Sequence, residues 1–299
     1  MRYLSSFTFP SEDAEWNYRV FGVKRTCYST LYPFYVLPKV GLREVTFAPI
    51  TIFYGGNGCG KSTVLNVIAE KLALKRDARF NRSSFFDEYV RMCSYSTEEP
   101  VPRDSAIITS DDVFDFMLNL RALNDGVDQK REALLDEYYA LRDSSVREPF
   151  RLKSMDDYDQ LKKVVSARKS TQSEFVRRNL PGNAQTHSNG ESADIYFKSR
   201  IRDDTLCLLD EPENSLSPEK QIELSQYLAE SARYCGCQLV ISTHSPFLLA
   251  IDGAKIYNLD DHSRTAESWT ALPNVRAYYD FFMKHKSEFD VPNNFRNED

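Results

Sequence analysis

The sequence lacks the features that would mark a membrane-bound or secreted protein. No stretch of its 299 residues approaches the roughly 18 consecutive apolar residues of a membrane-spanning helix, and residues 1–13 lack the apolar core of a signal peptide. The six cysteines are scattered, unlike those of a disulfide-rich secreted domain. Cys235-Gly-Cys237 also lacks the second Cys or His pair of a zinc site. These absences predict a cytoplasmic protein with reduced thiols and no membrane segment of its own.

An excess of positive charge is also missing. The chain has 38 Lys and Arg residues against 44 Asp and Glu residues, which gives a net charge of -6 at pH 7. This balance excludes a surface that is basic throughout, although a local basic face remains compatible with it. A hydrophobic fraction of 41% and a charged fraction of 27% match ordinary globular proteins and exclude general disorder.

Short apolar segments alternate with helix-forming segments along the chain. Residues 42–47 and 50–54 predict a hairpin-like pair of strands, and the second strand runs directly into a group of glycines. Helical spacing of the apolar residues that follow predicts a helix from Lys61 to about Leu74. Further strands are predicted at residues 106–109, 205–209, 238–242 and 255–259, and further helices at residues 113–123, from about Glu191, and at 218–234. Such alternation implies a mainly parallel sheet covered by helices on both faces.

The stretch between residues 113 and 180 differs from the rest because it is polar and helical in character. Gly126 and the Arg147-Glu148-Pro149 stretch predict its division into two or three helices, and it shows no sustained heptad of a long coiled coil. We therefore divide the chain into three parts. Residues 1–112 form the N-terminal part of the core, residues 113–180 an inserted helical lobe, and residues 181–299 the C-terminal part of the core.

The glycines after the second strand belong to a phosphate-binding pattern. Gly55-Gly56-Asn57-Gly58-Cys59-Gly60-Lys61-Ser62-Thr63 fits G-x-x-x-x-G-K-[ST] between a predicted strand and a predicted helix. Glycines let consecutive backbone N–H groups turn towards phosphates, and the helix adds the positive end of its dipole. Lys61 would contact the β and γ phosphates of ATP, and Ser62 would offer a hydroxyl to Mg²⁺. The predicted nucleotide-binding residues are Asn57, Gly58, Cys59, Gly60, Lys61, Ser62 and Thr63; a glycine-rich turn without a ligand is the alternative.

Two later strands end in residues suited to phosphate chemistry. Residues 206–211 form an apolar strand that finishes in Asp210 and Glu211, at the strand end where ligands bind in open α/β sheets. Asp210 would hold Mg²⁺, which prefers hard oxygen ligands, and Glu211 would polarise the attacking water. Residues 240–244 repeat the pattern and end in His244, which would reach the γ phosphate. Lys61, Glu211 and His244 form the predicted catalytic set, against the alternatives of acidic surface residues and a structural histidine.

In this order, the three motifs resemble the soluble branch of the ABC ATPase superfamily. That branch includes the RecF-like, OLD-like and structural-maintenance-of-chromosomes ATPases. The resemblance is carried by Asp210-Glu211-Pro212-Glu213-Asn214-Ser215-Leu216-Ser217-Pro218 and Ser242-Thr243-His244-Ser245-Pro246, and it covers residues 42–63 and 181–259. It implies an ABC-ATPase head with a mainly parallel sheet flanked by helices, N-terminal antiparallel strands and an inserted helical lobe.

The resemblance also implies a signature loop that closes over ATP held by a second subunit. Ser188-Asn189-Gly190-Glu191-Ser192 stands in its place, and Ser188 and Gly190 keep a hydroxyl and a backbone N–H that can bind phosphate. Read without the resemblance, the same segment is an ordinary helix cap. The implied assembly is a homodimer with two ATP sites, each formed by residues of both subunits, and with residues 214–217 at the interface between the subunits. The glutamine of the family's Q-loop is not found in residues 110–112.

Beyond ATP, the sequence leaves three functions open. The first is an ATPase that regulates a DNA- or effector-linked process such as genome maintenance or phage defence, with an effector partner such as a nuclease. The second is the nucleotide-binding subunit of an ABC transporter, and the third is a non-hydrolysing, ATP-gated dimerisation switch. Lys162-Lys163, Arg168-Lys169 and Arg177-Arg178 favour DNA contact, although nearby Asp156, Asp157 and Asp159 fit a solvated helical face equally well.

Two roles are possible for the aromatic residues near the start of the sequence. Tyr28, Tyr32, Phe34 and Tyr35 are expected to pack at the edge of the core, or one of them would stack on adenine. Nothing in the sequence selects which one.

Overall fold

The computed structural model describes residues 2–23, 30–147, 171, 174–176, 189–214, 216–262, 264–266 and 268–289. By the density of its contacts the chain divides into two compact units. The core unit contains Met1–Val113 and Asn189–Asp299, and the lobe unit contains Phe114–Ser188. No helix in the described part of the chain is long and apolar enough to cross a membrane.

The strands of the core unit form two sheets. They are β1 (Leu4–Thr8), β2 (Glu44–Thr46), β3 (Ile50–Tyr54), β4 (Ser94–Thr97), β5 (Ala106–Thr109), β6 (Leu206–Asp210), β7 (Gln238–Ser242), β8 (Lys255–Asn258) and β9 (Arg264–Thr265). The smaller sheet has the order β2-β1-β4 and is antiparallel. The larger has the order β5-β6-β7-β3-β8-β9, and its neighbours are parallel except for the β8–β9 pair. The predicted mainly parallel sheet and N-terminal antiparallel strands are confirmed.

The helices include those predicted around the site. They are α1 (Glu12–Asn17), α2 (Lys61–Lys71), α3 (Phe86–Met92), α4 (Ser110–Arg147), α5 (Asn189–Arg200), α6 (Pro218–Tyr234), α7 (Pro246–Leu249), α8 (Pro273–Lys284) and α9 (Lys286–Phe289). The start of α6 is fixed by the Ser217 hydroxyl, which accepts from the Lys220 N–H, and by Pro218 in the first turn. The Ser245 hydroxyl caps α7 in the same way by accepting from the Phe247 N–H.

The predicted hairpin of residues 42–47 and 50–54 is wrong. β2 pairs with β1 in the antiparallel sheet, whereas β3 lies between β7 and β8 in the parallel sheet. Their burial explains the difference. Every residue of β3 is buried, as expected for a central strand of a parallel sheet. β2 alternates between exposed and buried positions, as expected for an antiparallel strand with one solvent-exposed face. The two segments therefore belong to different sheets although only a few residues separate them.

The predicted break at Gly126 is also wrong. Helix α4 continues through this glycine, and a Cβ built there would meet no atom within 4 Å. A glycine inside a helix costs only about 1 kcal/mol relative to alanine, which a 38-residue helix tolerates.

The lobe unit also has a small aromatic cluster, in which the rings of Tyr138 and Phe175 lie 5.5 Å apart beside Leu134.

The strand register brings the polar strand ends together at one edge of the larger sheet. Asp210 at the end of β6 is paired with Thr109 of β5 on one side and with Ser242 of β7 on the other. Ser242 is in turn paired with Phe53 of β3, directly before the glycine-rich turn. The predicted phosphate loop and both predicted polar strand ends therefore meet at this edge.

Candidate nucleotide-binding site

The glycine-rich turn connects β3 to α2 with a backbone that requires glycine. Gly58 and Gly60 have φ angles of 82° and 101°, in the left-handed region that other residues rarely adopt. A Cβ on Gly60 would also lie 3.1 Å from Cγ1 of Val36 and 3.3 Å from Cδ2 of Leu37. Gly60 precedes α2 and has no side chain to cap its first turn. This end of the helix therefore favours an anion, as a phosphate site requires.

Lys61 is the first residue of α2, and its ammonium group is buried within the turn. The side chain is only 4% exposed, and Nζ donates to the carbonyls of Gly55 at 2.9 Å and Gly56 at 3.1 Å. Nζ also lies 3.4 Å from Oε1 of Glu211. A buried positive charge is therefore fixed between the phosphate loop and the end of β6.

Ser62 and Asp210 form the oxygen pair predicted to hold Mg²⁺. The Ser62 hydroxyl donates to Oδ1 of Asp210 at 3.1 Å, and the Ser242 hydroxyl donates to the same oxygen. Burial raises the pKa of Asp210, and the hydrogen bonds from Ser242 and Ser62 oppose that shift. A hydroxyl and a carboxylate on facing elements are the hard ligands that Mg²⁺ uses together with phosphate oxygens and water. These residues therefore fit the ion.

No larger metal-binding cluster is present among the residues that the structure describes. Groups of three or more His, Cys, Asp or Glu side chains placed to hold a metal ion are absent there. The five described cysteines are free thiols, including Cys235 and Cys237. A metal ion at Ser62 and Asp210 would therefore depend on ligands from the bound nucleotide and water.

Glu211 leaves β6 in an unusual backbone conformation. Its φ angle of 48° is left-handed, which costs a non-glycine residue of order 1 kcal/mol or more. The turn is held because the Glu211 N–H donates to the Ser242 carbonyl at 3.0 Å. The Asn214 amide donates to Oε2 of Glu211 at 3.0 Å, which leaves Oε1 directed towards Lys61 and His244.

His244 closes the cluster from the end of β7. Its Nε2 lies 3.2 Å from Oε1 of Glu211, and its Nδ1 lies 3.3 Å from the Gly55 carbonyl oxygen. A carbonyl oxygen only accepts, so the contact with Gly55 needs a proton on Nδ1. The Asn274 amide donates to the His244 carbonyl at 3.0 Å and fixes the backbone. The structure thus brings together all three residues of the predicted catalytic set, whose roles stay predictions.

Other predicted nucleotide contacts fall partly outside the described residues. Ser188 lies outside them, and Gly190 lies in the first turn of α5. Thr63 is buried, with its hydroxyl 3.1 Å from the Tyr32 hydroxyl, while Asn57 and Gly58 are exposed and Cys59 is half-buried. Burial raises the pKa of the Cys59 thiol.

The N-terminal aromatics pack within the core unit where they are described. Phe34 is buried, with its ring stacked 4.6 Å from that of Tyr18 and meeting the Tyr89 ring edge-on at 4.9 Å. Tyr28 lies outside the described residues. Phe34 is therefore a core residue, and its ring is not free to stack on adenine.

The segment expected to carry a Q-loop is occupied by a helix cap. After β5, the buried Asp112 carboxylate accepts from the N–H groups of Thr109 at 2.6 Å and Ala78 at 2.5 Å. The residue paired with Asp210 at this edge is Thr109. Among the described residues the segment contributes no glutamine, in agreement with the sequence.

Three further residues touch this site and were missed by the sequence reasoning. Both oxygens of Asp260 accept from the Gly56 N–H, at 3.1 and 2.9 Å. Asn274 holds the His244 carbonyl, and Glu213 accepts hydrogen bonds from the loop that contains His244. Glu213 has a sequence signal, since it lies two positions after Glu211 within the quoted motif. Asp260 and Asn274 have none, because their contacts depend on the tertiary fold.

Comparison with known proteins agrees with this picture. Residues 190–250 match the model of a family described as an AAA domain, with mention of the AbiEii toxin and a Type IV TA system. No curated protein matches the chain. The site geometry and this partial match are consistent with the P-loop ABC-type ATPase that the motifs resemble.

Solved structures to which the chain is similar include an Smc head domain and two ATP-binding cassettes. The Smc head domain of Pyrococcus furiosus, solved with the C-terminal domain of ScpA, has a TM-score of 0.42 at 13% identity, covering 97% of this chain and 100% of that one. A nucleotide-free ATP-binding cassette from an ABC transporter has a TM-score of 0.39 at 13% identity, covering 93% and 99%. An ATP-binding cassette solved as a dimer bound to ADP and Pi has a TM-score of 0.34 at 16% identity, covering 76% and 90%. Similarity at this level assigns no activity.

Proposed function

We propose that the chain binds Mg-ATP at the phosphate loop and hydrolyses it. The observation that supports this most is the position of Glu211, whose Oε1 lies 3.4 Å from Nζ of Lys61 and 3.2 Å from Nε2 of His244. A carboxylate held at the mouth of a phosphate loop is suited to accept a proton from an attacking water. The neighbouring Ser62 and Asp210 supply the oxygens that suit Mg²⁺.

Each residue of the cluster has a distinct role in this proposal. Lys61 would exchange its contacts with the Gly55 and Gly56 carbonyls for phosphate oxygens, and N–H groups in the first turn of α2 would add further donors. Bound Mg²⁺ neutralises charge on the phosphates. Glu211 orients and polarises the attacking water, and its Oε2 is anchored by Asn214 so that Oε1 keeps one direction. His244 contacts the γ phosphate.

The second part of the proposal is that two copies share each ATP. The segment of residues 188–192 from one subunit would close over the nucleotide held by the other. Support comes from Gly190, which lies in the first turn of α5, since a helix N-terminus favours phosphate. Asn57 and Gly58 are exposed and therefore accessible to a second copy.

Mixing two inactive variants tests the shared site. Lys61→Ala removes the phosphate-loop charge, and Ser188→Arg blocks the proposed signature contact, so each homodimer should be inactive. A one-to-one mixture should recover about a quarter of wild-type phosphate release, since half of randomly assorted dimers contain one intact composite site. The absence of recovery above the sum of the separate variants would contradict the shared site. In a companion measurement, Glu211→Gln should sediment as a dimer only with ATP.

The third part of the proposal is that turnover regulates a DNA- or effector-linked process. The basic pairs between residues 162 and 178, which lie outside the described residues, and the toxin named in the description of the matched family support this reading. Binding to duplex DNA should weaken steeply as salt rises, because phosphate contacts release counterions. The double variant Arg177→Ala, Arg178→Ala should lose at least about tenfold in affinity. If the wild type binds no DNA at low salt, the DNA link is wrong.

The two alternatives are separated by simple observations. A transporter subunit is not favoured, because the segment after β5 forms a cap around Asp112 instead of a glutamine-bearing loop. A non-hydrolysing switch would bind ATP without releasing phosphate. Steady-state phosphate release by the purified protein distinguishes that switch from the proposed ATPase.

A further inference from the structure

Glu213 is a buried acidic residue beside the proposed catalytic cluster. It is 8% exposed, and its Oε1 accepts hydrogen bonds from three consecutive residues of the loop after β7. The donors are the Thr243 hydroxyl at 2.6 Å, the His244 N–H at 2.8 Å and the Ser245 N–H at 3.2 Å. The carboxylate is therefore the shared acceptor of this loop, which we call the switch loop (residues 243–245).

Burying Glu213 costs free energy because its second carboxylate oxygen makes no hydrogen bond in the described part of the chain. Oε2 is buried and has no hydrogen-bond partner among the residues that the structure describes. Burial raises the pKa of Glu213, while the hydrogen bonds from Thr243 and the switch-loop backbone oppose that shift. An apolar side chain would avoid this cost but would leave the Thr243 hydroxyl and the His244 N–H without their acceptor, at about 1–3 kcal/mol for each buried group. The Ser245 N–H would keep its second acceptor, the Thr243 hydroxyl oxygen at 2.9 Å. The hydrogen bonds that offset the cost of burying this carboxylate therefore come from the switch loop.

The switch loop is also held by a residue of α8. Asn274 of α8 donates to the His244 carbonyl at 3.0 Å, while Glu213 accepts from the N–H of the same residue at 2.8 Å. The backbone of His244 is thereby fixed at both its donor and its acceptor. With the backbone fixed, the ring reaches the Gly55 carbonyl with Nδ1 and Glu211 with Nε2.

We propose that Glu213 is a positioning residue, which sets the orientation of the His244 ring by holding the switch loop. This inference rests on the proposed ATPase function. Glu213 need not touch ATP or water itself, because its effect passes through His244. A role limited to stabilising the fold would instead lower activity independently of His244.

A double-mutant cycle on turnover separates these two roles. Glu213→Ala should lower kcat about 30-fold or more while changing KM for ATP less than about threefold, and Glu213→Gln, which keeps an acceptor oxygen, should stay within about fivefold of wild type. In a His244→Ala background, Glu213→Ala should change kcat less than about twofold further. Glu223→Ala is the matched control, because this carboxylate is exposed and pairs with Lys220 on α6.

A second readout does not depend on turnover. The chain has four histidines, so the ring resonances of His244 can be assigned by NMR from their loss in His244→Ala. Glu213→Ala should shift these resonances and speed hydrogen exchange at the amides of His244 and Ser245, while Glu213→Gln should leave both near wild type. If the wild type releases no phosphate, the proposed function fails, and this readout still tests the position of the loop.

Two results would overturn the inference. The first is an equal loss from Glu213→Ala in the wild-type and His244→Ala backgrounds, which would mean that Glu213 acts independently of the histidine. The second is an unchanged His244 ring resonance in Glu213→Ala. If that variant does not fold, Glu213→Asp, which withdraws the carboxylate by one methylene, replaces it in both measurements with the same expected direction.

Discussion

Replacing Glu211 with glutamine will reduce steady-state phosphate release by about a thousandfold and leave ATP binding intact, because an amide cannot accept the proton of the attacking water. Glutamine has the same shape and keeps an oxygen for the Asn214 amide, which donates to Oε2 at 3.0 Å. The substitution removes a negative charge beside Lys61, but Lys61 keeps its hydrogen bonds to the loop carbonyls. Phosphate release and equilibrium binding of ATP, measured on the same preparation, check both halves of the expectation.

A matched control for this variant is present on α6. Glu223 is also a glutamate, but its side chain is 51% exposed and pairs with Lys220 of the same helix. Glu223→Gln should keep turnover within about twofold of wild type, as expected for a surface substitution. If Glu211→Gln also stayed within a few-fold of wild type, the assignment of Glu211 as the residue that activates water would be wrong.

Replacing Lys61 with alanine should weaken ATP binding by about a hundredfold or more and bring turnover close to background. The ammonium group is 4% exposed and already lies among the loop carbonyls of Gly55 and Gly56. A charge held in a buried position stabilises phosphate more strongly than one in water. Binding of ATP by calorimetry and phosphate release by a coupled assay measure the two losses separately.

Lys75 provides the comparison for this substitution. Its side chain is 62% exposed and forms an ion pair with Asp104 at the surface of the core unit. Lys75→Ala should therefore leave ATP binding within about twofold of wild type, since exposed ion pairs contribute little. Unfolding curves of both variants exclude global loss of structure. Unchanged ATP affinity in folded Lys61→Ala would contradict the role given to the phosphate loop.

The parts of the fold that could be predicted from sequence are those with a local signal. The apolar run of β3, the glycine turn and the apolar face of α2 follow one another, and each is visible in a short window. The same holds for β6 and β7, which are short apolar runs that end in polar residues. Since parallel strands place their carboxyl ends at one edge, the meeting of Lys61, Glu211 and His244 was predictable as well.

The parts that could not be predicted depend on partners far along the chain. Closeness in sequence predicts that β2 pairs with β3, yet β2 pairs with β1, because the pairing depends on which sheet buries each face. Gly126 predicts a break because glycine is a poor helix former, although a long helix tolerates one such residue. Asp260 contacts Gly56 across 204 positions, a separation over which local patterns give no signal.

The central claim is that Glu211 promotes hydrolysis of ATP held at the phosphate loop. A single-turnover experiment, with the protein in excess over ATP and Mg²⁺ present, tests it most directly because it follows the chemical step on bound nucleotide. Wild-type protein should convert the bound ATP to ADP and phosphate, while Glu211→Gln should retain intact ATP over the same period. Equal conversion by the two proteins, or intact ATP on both, would contradict the claim.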